Sequence, residues 1–292
     1  MVITVISGKG GTGKTTIAVA ISELENETVN VDCDVEAPNM YLYYEGMDIE
    51  QEDFSGGKKA VVDETTCIRC GKCQSVCQFK AIKDGITVPF RCEGCGACVL
   101  VCPQKSIRLI DEKSANVYLT HIGKGTLSRS QMEIGSEGSG KLITLLRKKA
   151  QKYAEGRITI NDGSPGIGCP VISSITATDA VLIVTEPTQS GMEDLKRVVT
   201  LCWQFGIMIF VCINKADINP EVANQIEDYC KENHFYLVGK LPYDDTVLRS
   251  INELKPIIYY DNSSANHAIR QMWSELKGIL VNQVNTRRNN LS

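Results

Sequence analysis

The sequence predicts an α/β protein with a doubly wound, mostly parallel sheet and a small inserted α+β domain. Short apolar runs alternate with stretches of helical periodicity along most of the chain, which is the pattern of parallel βαβ units. Eight of the 13 cysteines lie between Cys67 and Cys102, and the apolar pattern resumes after them. We therefore predict one α/β domain over residues 1–57 and 114–292, interrupted by a cysteine-rich domain over residues 58–113.

The composition indicates an ordinary globular protein. The chain has 292 residues, 43% of them hydrophobic, and a net charge of -4. Nucleic-acid binders are usually basic, so we expect no nucleic-acid partner. No apolar run approaches the roughly 20 residues that span a bilayer, and no export signal precedes the first strand. We expect a cytoplasmic protein without stable membrane insertion. The total of 13 cysteines is odd and eight of them are clustered, which indicates metal ligation rather than disulfides.

A phosphate-binding loop is predicted near the start of the chain. A strand over residues 2–6 is followed by a glycine-rich turn and a helix over residues 14–24, and the turn fits G-x-x-x-x-G-K-[ST]. Glycines let backbone N–H groups point at a phosphate, and the helix N-terminus adds partial positive charge. Lys14 is expected to reach the β- and γ-phosphates, and Thr15 to ligate Mg²⁺. The predicted nucleotide-binding residues here are Gly8, Gly10, Gly11, Thr12, Gly13, Lys14, Thr15 and Thr16.

The remaining elements continue the alternation of strands and helices. A second glycine–lysine spacing at residues 135–141 lacks the hydroxyl residue and a preceding strand, so we interpret it as a flexible lead into a helix. A polar, glycine-containing linker is predicted over residues 45–59. Strands are predicted over residues 29–31, 117–121, 158–160, 180–184, 206–213 and 235–238, and helices over residues 141–153, 192–204 and 220–233.

Lys9 distinguishes this loop from an ordinary phosphate-binding loop. The run from Lys9 to Thr16 resembles the deviant Walker A motif of the MinD/ParA/Mrp and nitrogenase iron protein superfamily of ATPases. The resemblance implies that Lys9 contacts the phosphates bound by a partner subunit, in a nucleotide-sandwich dimer formed with a second copy or with a paralogue. A cation at that place would neutralise charge that develops on the transferred phosphoryl group.

Two carboxylates complete the catalytic set that the resemblance implies. Asp34 ends the second strand, where open α/β sheets bind ligands, and matches the switch I aspartate that positions or deprotonates the attacking water. Residues 158–166 resemble the Walker B strand and switch II. Asp162 would hold Mg²⁺ through water, and the Gly166 N–H would sense the γ-phosphate. The predicted catalytic residues are Lys9, Lys14, Asp34 and Asp162.

The base that the site would recognise has two interpretations. The run from Asn214 to Asp217 fits the N-K-x-D guanine signature of GTPases. The MinD-type ATPases also place an asparagine at this strand end, against adenine. Since Lys9 and Lys14 together match the ATPase loop, we expect ATP, with GTP as the alternative, and include Asn214 and Asp217 in the binding set.

The cysteine segment is an internal repeat. The spacing C-x2-C-x2-C-x3-C occurs twice with an offset of 25, and Pro103 follows the second copy. This run resembles bacterial two-cluster ferredoxins, which hold [4Fe–4S] clusters by thiolates. The resemblance implies one cluster on Cys67, Cys70, Cys73 and Cys102, and another on Cys77, Cys92, Cys95 and Cys98. Zinc usually needs two C-x2-C pairs with a longer spacer. A purely structural role for the clusters stays open.

Two further features have alternative interpretations. Cys169 lies seven residues after Asp162, an offset at which the nitrogenase iron protein has a cluster-ligating cysteine, but residues 126–140 contain no second cysteine. Cys169 is therefore a metal-handling residue at a dimer face or a packing residue. The apolar stripe that includes Ile269, Met272, Trp273 and Leu276 has helical spacing, and we expect it to dock on the sheet of the protein rather than on a membrane.

The predicted function combines these two sites. We expect a nucleotide-switched ATPase with two [4Fe–4S] clusters that couples ATP binding and hydrolysis to electron or metal–sulfur transfer in metallocluster assembly. The partner would be a redox or metallocluster client protein. The alternatives are an ATP-gated electron donor to a reductase and a positioning ATPase of the ParA/MinD kind with structural clusters.

Overall fold

The computed structural model describes residues 1–136 and 138–289, with side chains as far as residue 283. The strands are β1 (Val2–Ser7), β2 (Thr28–Asp32), β3 (Gly46–Val62), β4 (Ile82–Lys83), β5 (Ile86–Thr87), β6 (Ile107–Ile122), β7 (Gly125–Met132), β8 (Ile158–Pro165), β9 (Ala180–Thr185), β10 (Met208–Ile213) and β11 (Tyr236–Lys240). The helices are α1 (Lys14–Leu24), α2 (Lys72–Val76), α3 (Ala97–Val101), α4 (Gly140–Gln151), α5 (Cys169–Ile175), α6 (Gln189–Gln204), α7 (Pro220–Glu232), α8 (Asp245–Asn252) and α9 (Ser264–Asn289).

The chain divides into two compact units. The larger unit comprises Met1–Glu50, Tyr118–Ser130 and Ser139–Ser292, and the smaller unit comprises Gln51–Val117 and Gln131–Gly138. The sequence-based boundaries, after residues 57 and 113, differ from this division. They fall inside β3 and β6, which continue across the change of unit.

The predicted linker over residues 45–59 is wrong, because β3 occupies Gly46–Val62. Its side chains are mostly exposed or half-buried, and it stands last in the strand order. An edge strand pairs on one side only and accepts polar side chains on both faces. The search for apolar runs therefore did not detect this strand, because backbone hydrogen bonds rather than apolar burial hold it in the sheet.

Among the described residues, nine strands form one sheet in the order β11-β10-β9-β1-β8-β2-β7-β6-β3. The strand β1 pairs in parallel with β8 and β9, and β2 pairs in parallel with β7 and β8. Val5 lies opposite both Asp162 and Leu182. Because these strands run in the same direction, the loops that follow their carboxyl ends meet at one edge of the sheet.

Apolar side chains cover both faces of the sheet in the larger unit. Val5 and Leu182 belong to a core that includes Trp273 of α9, whereas Ile6 belongs to a second core with α5, α6 and α7. Every residue of β9 is buried. This two-sided burial gives the continuous apolar runs of a parallel sheet, and each large side chain contributes about 1.5–3 kcal/mol.

The last helix packs within the larger unit. Ile269, Met272, Trp273 and Leu276 are all buried in the first core. The Trp273 Nε1–H donates a hydrogen bond of 2.7 Å to Glu25 Oε1, which anchors the helix beside the end of α1. The apolar stripe is therefore used within the protein. In the part of the chain that the structure describes, no helix is long and apolar enough to cross a membrane.

Candidate nucleotide and cluster sites

The glycine-rich loop between β1 and α1 has a backbone that only glycine tolerates at two positions. Gly13 precedes α1 with φ of 92°, in the left-handed region. A Cβ at Gly13 would lie 2.6 Å from Asn214 Nδ2, and a Cβ at Gly8 would lie 2.3 Å from the Cβ of Asp194. The loop is thus packed against the end of β10 and the first turns of α6, and it leads into the N-terminus of α1, where backbone N–H groups favour an anion.

The side chains of Lys14 and Thr15 meet two of the predicted carboxylates. Lys14 Nζ lies 3.3 Å from Asp34 Oδ2 and 3.5 Å from Asp162 Oδ1. The Thr15 hydroxyl donates to Asp162 Oδ2 at 2.5 Å. Lys14 is only 6% exposed, so its charge is held among these groups. The fold therefore brings four residues from three separate segments of the sequence to one point.

Carboxylates outnumber cations at this point. Asp32 is fully buried and accepts hydrogen bonds from Asp34 N and Met40 N. Burial and the neighbouring charge of Asp162 raise the pKa of Asp32 well above its ordinary value. Burial alone would lower the pKa of Lys14, but the charges of Asp162 and Asp34 outweigh it and raise that pKa. A hydroxyl and carboxylates with excess negative charge form a donor set that suits Mg²⁺.

The residues predicted to sense phosphate and base already have partners. The Gly166 N–H donates to the Ser7 carbonyl at 2.8 Å, so a contact with a γ-phosphate requires that bond to break. Asn214 Nδ2 donates to Thr12 O at 2.9 Å and so supports the phosphate loop. The Asp217 carboxylate accepts from the Tyr243 N–H at 2.7 Å. Their predicted roles in nucleotide binding stay predictions.

Glu186 is a site residue that the sequence analysis missed. It follows β9, and its carboxylate lies 3.3 Å from Lys9 Nζ and 2.7 Å from Lys215 Nζ. Burial would raise the pKa of Glu186, but the hydrogen bond and charge of Lys215, with those of Lys9, lower it. A carboxylate directly after an apolar strand was the available signal, by the same reasoning that selected Asp34.

Known proteins are similar to this chain over most of its length. Residues 3–257 match the model of the CobQ/CobB/MinD/ParA nucleotide binding domain family. The chain belongs to this family. An uncharacterized protein of Methanocaldococcus jannaschii is 34% identical over 281 residues, which cover 95% of this chain and 96% of the relative. The septum site-determining protein MinD of Escherichia coli is 21% identical, over 95% of this chain and 91% of the relative.

Solved structures of MinD share the fold. The septum site-determining protein MinD of Pyrococcus horikoshii, complexed with Mg-ADP, has a TM-score of 0.58 and 18% identity, and the match covers 96% of this chain and 98% of that chain. MinD in the MinC:MinD complex of Aquifex aeolicus has a TM-score of 0.58 and 17% identity, over 95% and 96% of the two chains. The predicted membership of the MinD/ParA superfamily and the large, mostly parallel sheet are thereby confirmed.

In this MinD/ParA-family protein, the eight repeated cysteines line two cavities in the smaller unit. The first cavity is lined by Cys67, Cys70, Cys73 and Cys102. The second cavity is lined by Cys77, Cys92, Cys95 and Cys98. In each cavity three cysteines come from one copy of the repeat and the fourth comes from the other copy.

Backbone N–H groups donate to three of these sulfurs. The Ala81 N–H donates to Cys77 Sγ at 3.2 Å, and the Ser106 N–H donates to Cys102 Sγ at 3.3 Å. These bonds occupy equivalent positions in the two copies. The Ala60 N–H donates to Cys92 Sγ at 3.3 Å. Such bonds orient and tune sulfur ligands.

The described residues contain no group of three or more His, Cys, Asp or Glu side chains gathered tightly enough to hold one metal ion. The cysteines of each set surround their cavity instead of converging on one point. Of the other cysteines, Cys33, Cys202, Cys212 and Cys230 are buried, and burial raises the pKa of the Cys202 and Cys230 thiols to about 12. Cys169 is exposed at the start of α5.

Proposed function

We propose that this protein is an ATPase of the MinD/ParA type that couples ATP binding and hydrolysis to electron or metal–sulfur transfer through two [4Fe–4S] clusters in metallocluster assembly. The observation that carries the proposal is the distribution of the eight cysteines over two cavities in the crossed sets of three plus one. If each repeat bound its own group, the four cysteines of one repeat would line the same cavity. Crossed sets are the ligand pattern of two-cluster ferredoxins.

The cavities suit a multi-atom cluster better than a single ion. Four thiolates that line one cavity without converging on a single point can each bind a different iron, whereas a zinc ion draws its four ligands to one centre. The N–H groups of Ala81 and Ser106 would lower the charge on the sulfurs and so raise the reduction potential. When bound, the clusters would supply one-electron chemistry, and the protein would supply ligation and tuning.

On the nucleotide side, Lys14 and the loop amides would hold the phosphates. Thr15 and Asp162 are the residues that would hold Mg²⁺, which would supply charge neutralisation. Asp34 lies within 3.3 Å of Lys14 and would orient the attacking water. Lys9 would contact the phosphates held by a partner subunit. ATP occupancy would thus favour a dimer, of this chain or with a paralogue, and present the clusters to a client protein.

Anaerobic purification with metal analysis tests the iron–sulfur assignment. About eight iron and eight acid-labile sulfide per chain are expected for two cubanes. Colourless, iron-free protein from a cluster-competent host would overturn it. Coupling is tested by the EPR spectrum of the dithionite-reduced protein, which should change when ATP and Mg²⁺ are added to the wild type and not to Lys14→Ala. An identical spectrum with and without ATP would leave the clusters without nucleotide control.

The client protein can be captured through the hydrolysis step. Asp34→Ala should bind ATP and stay in the dimeric state, because the residue that orients water is missing. We expect an anaerobic pull-down with ATP to retain a client on Asp34→Ala and to lose it on the double variant Lys14→Ala/Asp34→Ala. Recovery of an apo-metalloprotein would support cluster assembly, and recovery of a reductase would favour the role of ATP-gated electron donor.

The similarity to MinD favours a second candidate function, a positioning ATPase with structural clusters. The Escherichia coli relative is a septum site-determining protein and aligns with 95% of this chain. Co-sedimentation with anionic liposomes or with DNA in the presence of ATP distinguishes this candidate. Pelleting that requires ATP and persists when the clusters are oxidised would support positioning. Absence of such pelleting would leave redox coupling as the remaining candidate.

A further inference from the structure

The two cysteine loops share a backbone conformation and differ in charge. Arg69 and Gly94 occupy equivalent positions with φ of 53° and 62°, and Gly71 and Gly96 are equivalent with φ of 75° and 79°. Each loop leads into a five-residue helix, α2 or α3. Because the backbone repeats, any difference between the two cavity rims comes from side chains.

The rim of the first cavity carries two cations that the second lacks. Arg69 and Lys72 line the first cavity, and the equivalent positions in the second are Gly94 and Ala97. Arg69 has a left-handed backbone, which a non-glycine residue adopts at a cost of about 1 kcal/mol. Glycine is required at position 94, where a Cβ would lie 2.2 Å from Lys58 O.

Both cations are accessible to a partner protein. Arg69 and Lys72 are exposed, and neither forms an ion pair with the side chains of residues 1–136 and 138–283. The carboxylate of Asp84, in the turn next to Gly85 beside Arg69, forms no ion pair among the same residues. Between Cys67 and Lys105 the sequence has six basic residues and two acidic ones, Asp84 and Glu93, although the whole chain has a net charge of -4.

An apolar side chain and a sulfur complete the same rim. Ile68 is 60% exposed, and Cys70 is exposed beside it. In the second loop the residue equivalent to Ile68 is Glu93, which is exposed. The first rim therefore combines a small apolar contact with an unpaired basic border, around a thiolate that would ligate the cluster. Interfaces of transient redox complexes have this composition, because charge steers the encounter and a small apolar centre allows fast release.

We propose that the rim formed by Ile68, Arg69, Cys70 and Lys72 is the docking site for an acidic one-electron carrier protein, of the flavoprotein or iron–sulfur class. This rests on the proposed iron–sulfur function. The reduced carrier would give up one electron at this rim, and a cluster held by Cys67, Cys70, Cys73 and Cys102 would supply the one-electron acceptor. No bond is made or broken. The second rim, with Glu93, repels the same carrier.

The test uses the internal repeat as its own control. The double variant Arg69→Gly/Lys72→Ala gives the first loop the residues of the second at these two positions. Glycine at position 69 adopts the left-handed backbone without strain, so we expect the variant to fold. The matched control Lys148→Ala/Lys152→Ala removes two charges from exposed lysines of the larger unit. The probe is a purified flavodoxin of acidic pI.

Binding is measured by calorimetry on anaerobic holoprotein at low and high salt. The wild type and the lysine control should bind the flavodoxin with an affinity that falls as salt rises, and Arg69→Gly/Lys72→Ala should bind about fivefold more weakly or worse at low salt. Equal affinity of the double variant and the wild type would overturn the docking site. Loss of binding in the lysine control alone would also overturn it.

Zero-length cross-linking locates the contact independently of electron transfer. Carbodiimide should join Lys72 to a carboxylate of flavodoxin in the wild type, and the cross-link should disappear in 1 M salt. Cross-links confined to lysines of the larger unit would overturn the proposal, as would equal competition by a DNA duplex. Iron analysis of each sample distinguishes failure of the proposed function from failure of the docking site. Protein without iron refutes the proposed function, whereas iron-loaded protein that does not bind the carrier refutes only the docking site.

Discussion

Lys9 Nζ lies 3.3 Å from Glu186 Oε2 within the same chain. The lysine that the family resemblance assigns to the phosphates of a partner subunit is therefore held by a carboxylate of its own subunit. Glu186 also forms an ion pair with Lys215, so its carboxylate stays paired when Lys9 moves away. A dimer that uses Lys9 across its interface must first break this ion pair, and Glu186 then opposes dimer formation.

Replacement of this carboxylate should promote the dimer. In Glu186→Gln the Lys9 side chain is released, and we expect the ATP-dependent dimer to form about two- to fivefold more tightly, the range for a partly exposed ion pair. Sedimentation equilibrium with ATP measures the effect. Glu193→Gln, which breaks an exposed ion pair with Lys196 on α6, is the control and should leave the dimer unchanged. An unchanged dimer in Glu186→Gln would contradict the role of this ion pair.

The crossed ligand sets make opposite predictions for two double variants. Cys77→Ala/Cys92→Ala removes two ligands from the second cavity only, so about four iron per chain should remain. Cys67→Ala/Cys77→Ala removes one ligand from each cavity and should leave little iron. If each repeat instead held its own cluster, the two results would be exchanged. Cys169→Ser serves as the control and should keep the iron content of the wild type.

Substitution of Gly13 separates backbone strain from a side-chain clash. Gly13→Ala forces a left-handed alanine and a contact of 2.6 Å with Asn214 Nδ2. Gly206→Ala is also left-handed, with φ of 62°, but its Cβ meets nothing within 4 Å. We expect Gly206→Ala to lower the free energy of unfolding by about 1 kcal/mol and Gly13→Ala by more, with loss of ATP binding only in Gly13→Ala. Chemical denaturation and calorimetry measure both. Equal stability losses would show that the contact with Asn214 is relieved at no cost.

Thr15 tests the magnesium assignment. Thr15→Val keeps the shape of the side chain and removes the hydroxyl that donates to Asp162. The Mg²⁺-dependent part of nucleotide affinity should fall by roughly tenfold or more, while affinity in EDTA should change little. Thr16→Val alters the neighbouring hydroxyl and provides a comparison. Equal affinity of Thr15→Val and the wild type at saturating Mg²⁺ would rule out Thr15 as a ligand.

Asp244 links acid stability to the ends of two helices. Its carboxylate caps α8 through the Thr246 N–H and accepts bonds from Ser263 Oγ and Ala265 N at the start of α9. Burial would raise its pKa, but these hydrogen bonds outweigh burial and hold the pKa well below 3.8. The carboxylate therefore stabilises the fold above pH 3.8 and loses this contribution as the pH falls further.

Asp244→Asn should cost about 1–2 kcal/mol at pH 7. The difference from the wild type should shrink as the pH falls below 3.8. Urea denaturation at a series of pH values measures it, and Asp245→Asn, at an exposed neighbour, provides the baseline. A constant difference across the acid range would contradict the assignment.

Local patterns predicted much of this molecule. The helix over residues 14–24 agrees with α1 in both bounds, because a glycine, a lysine and an apolar period mark its start and extent. The strand over residues 180–184 agrees with β9 to within one residue, since burial on both faces demands a continuous apolar run. The edge strand β3 escaped prediction, because a strand held by backbone bonds on one side needs no apolar pattern.

By itself the sequence determined the phosphate loop, the two cysteine repeats and the family, because each depends on residue types at short, fixed spacings. Tertiary structure alone decided that Glu186 holds Lys9 and that Asn214 supports the loop at Thr12. It also decided that Arg69 lines the first cavity and Gly94 the second. Those contacts join residues far apart in the chain, and their geometry is set by the packing of strands and helices rather than by any local pattern.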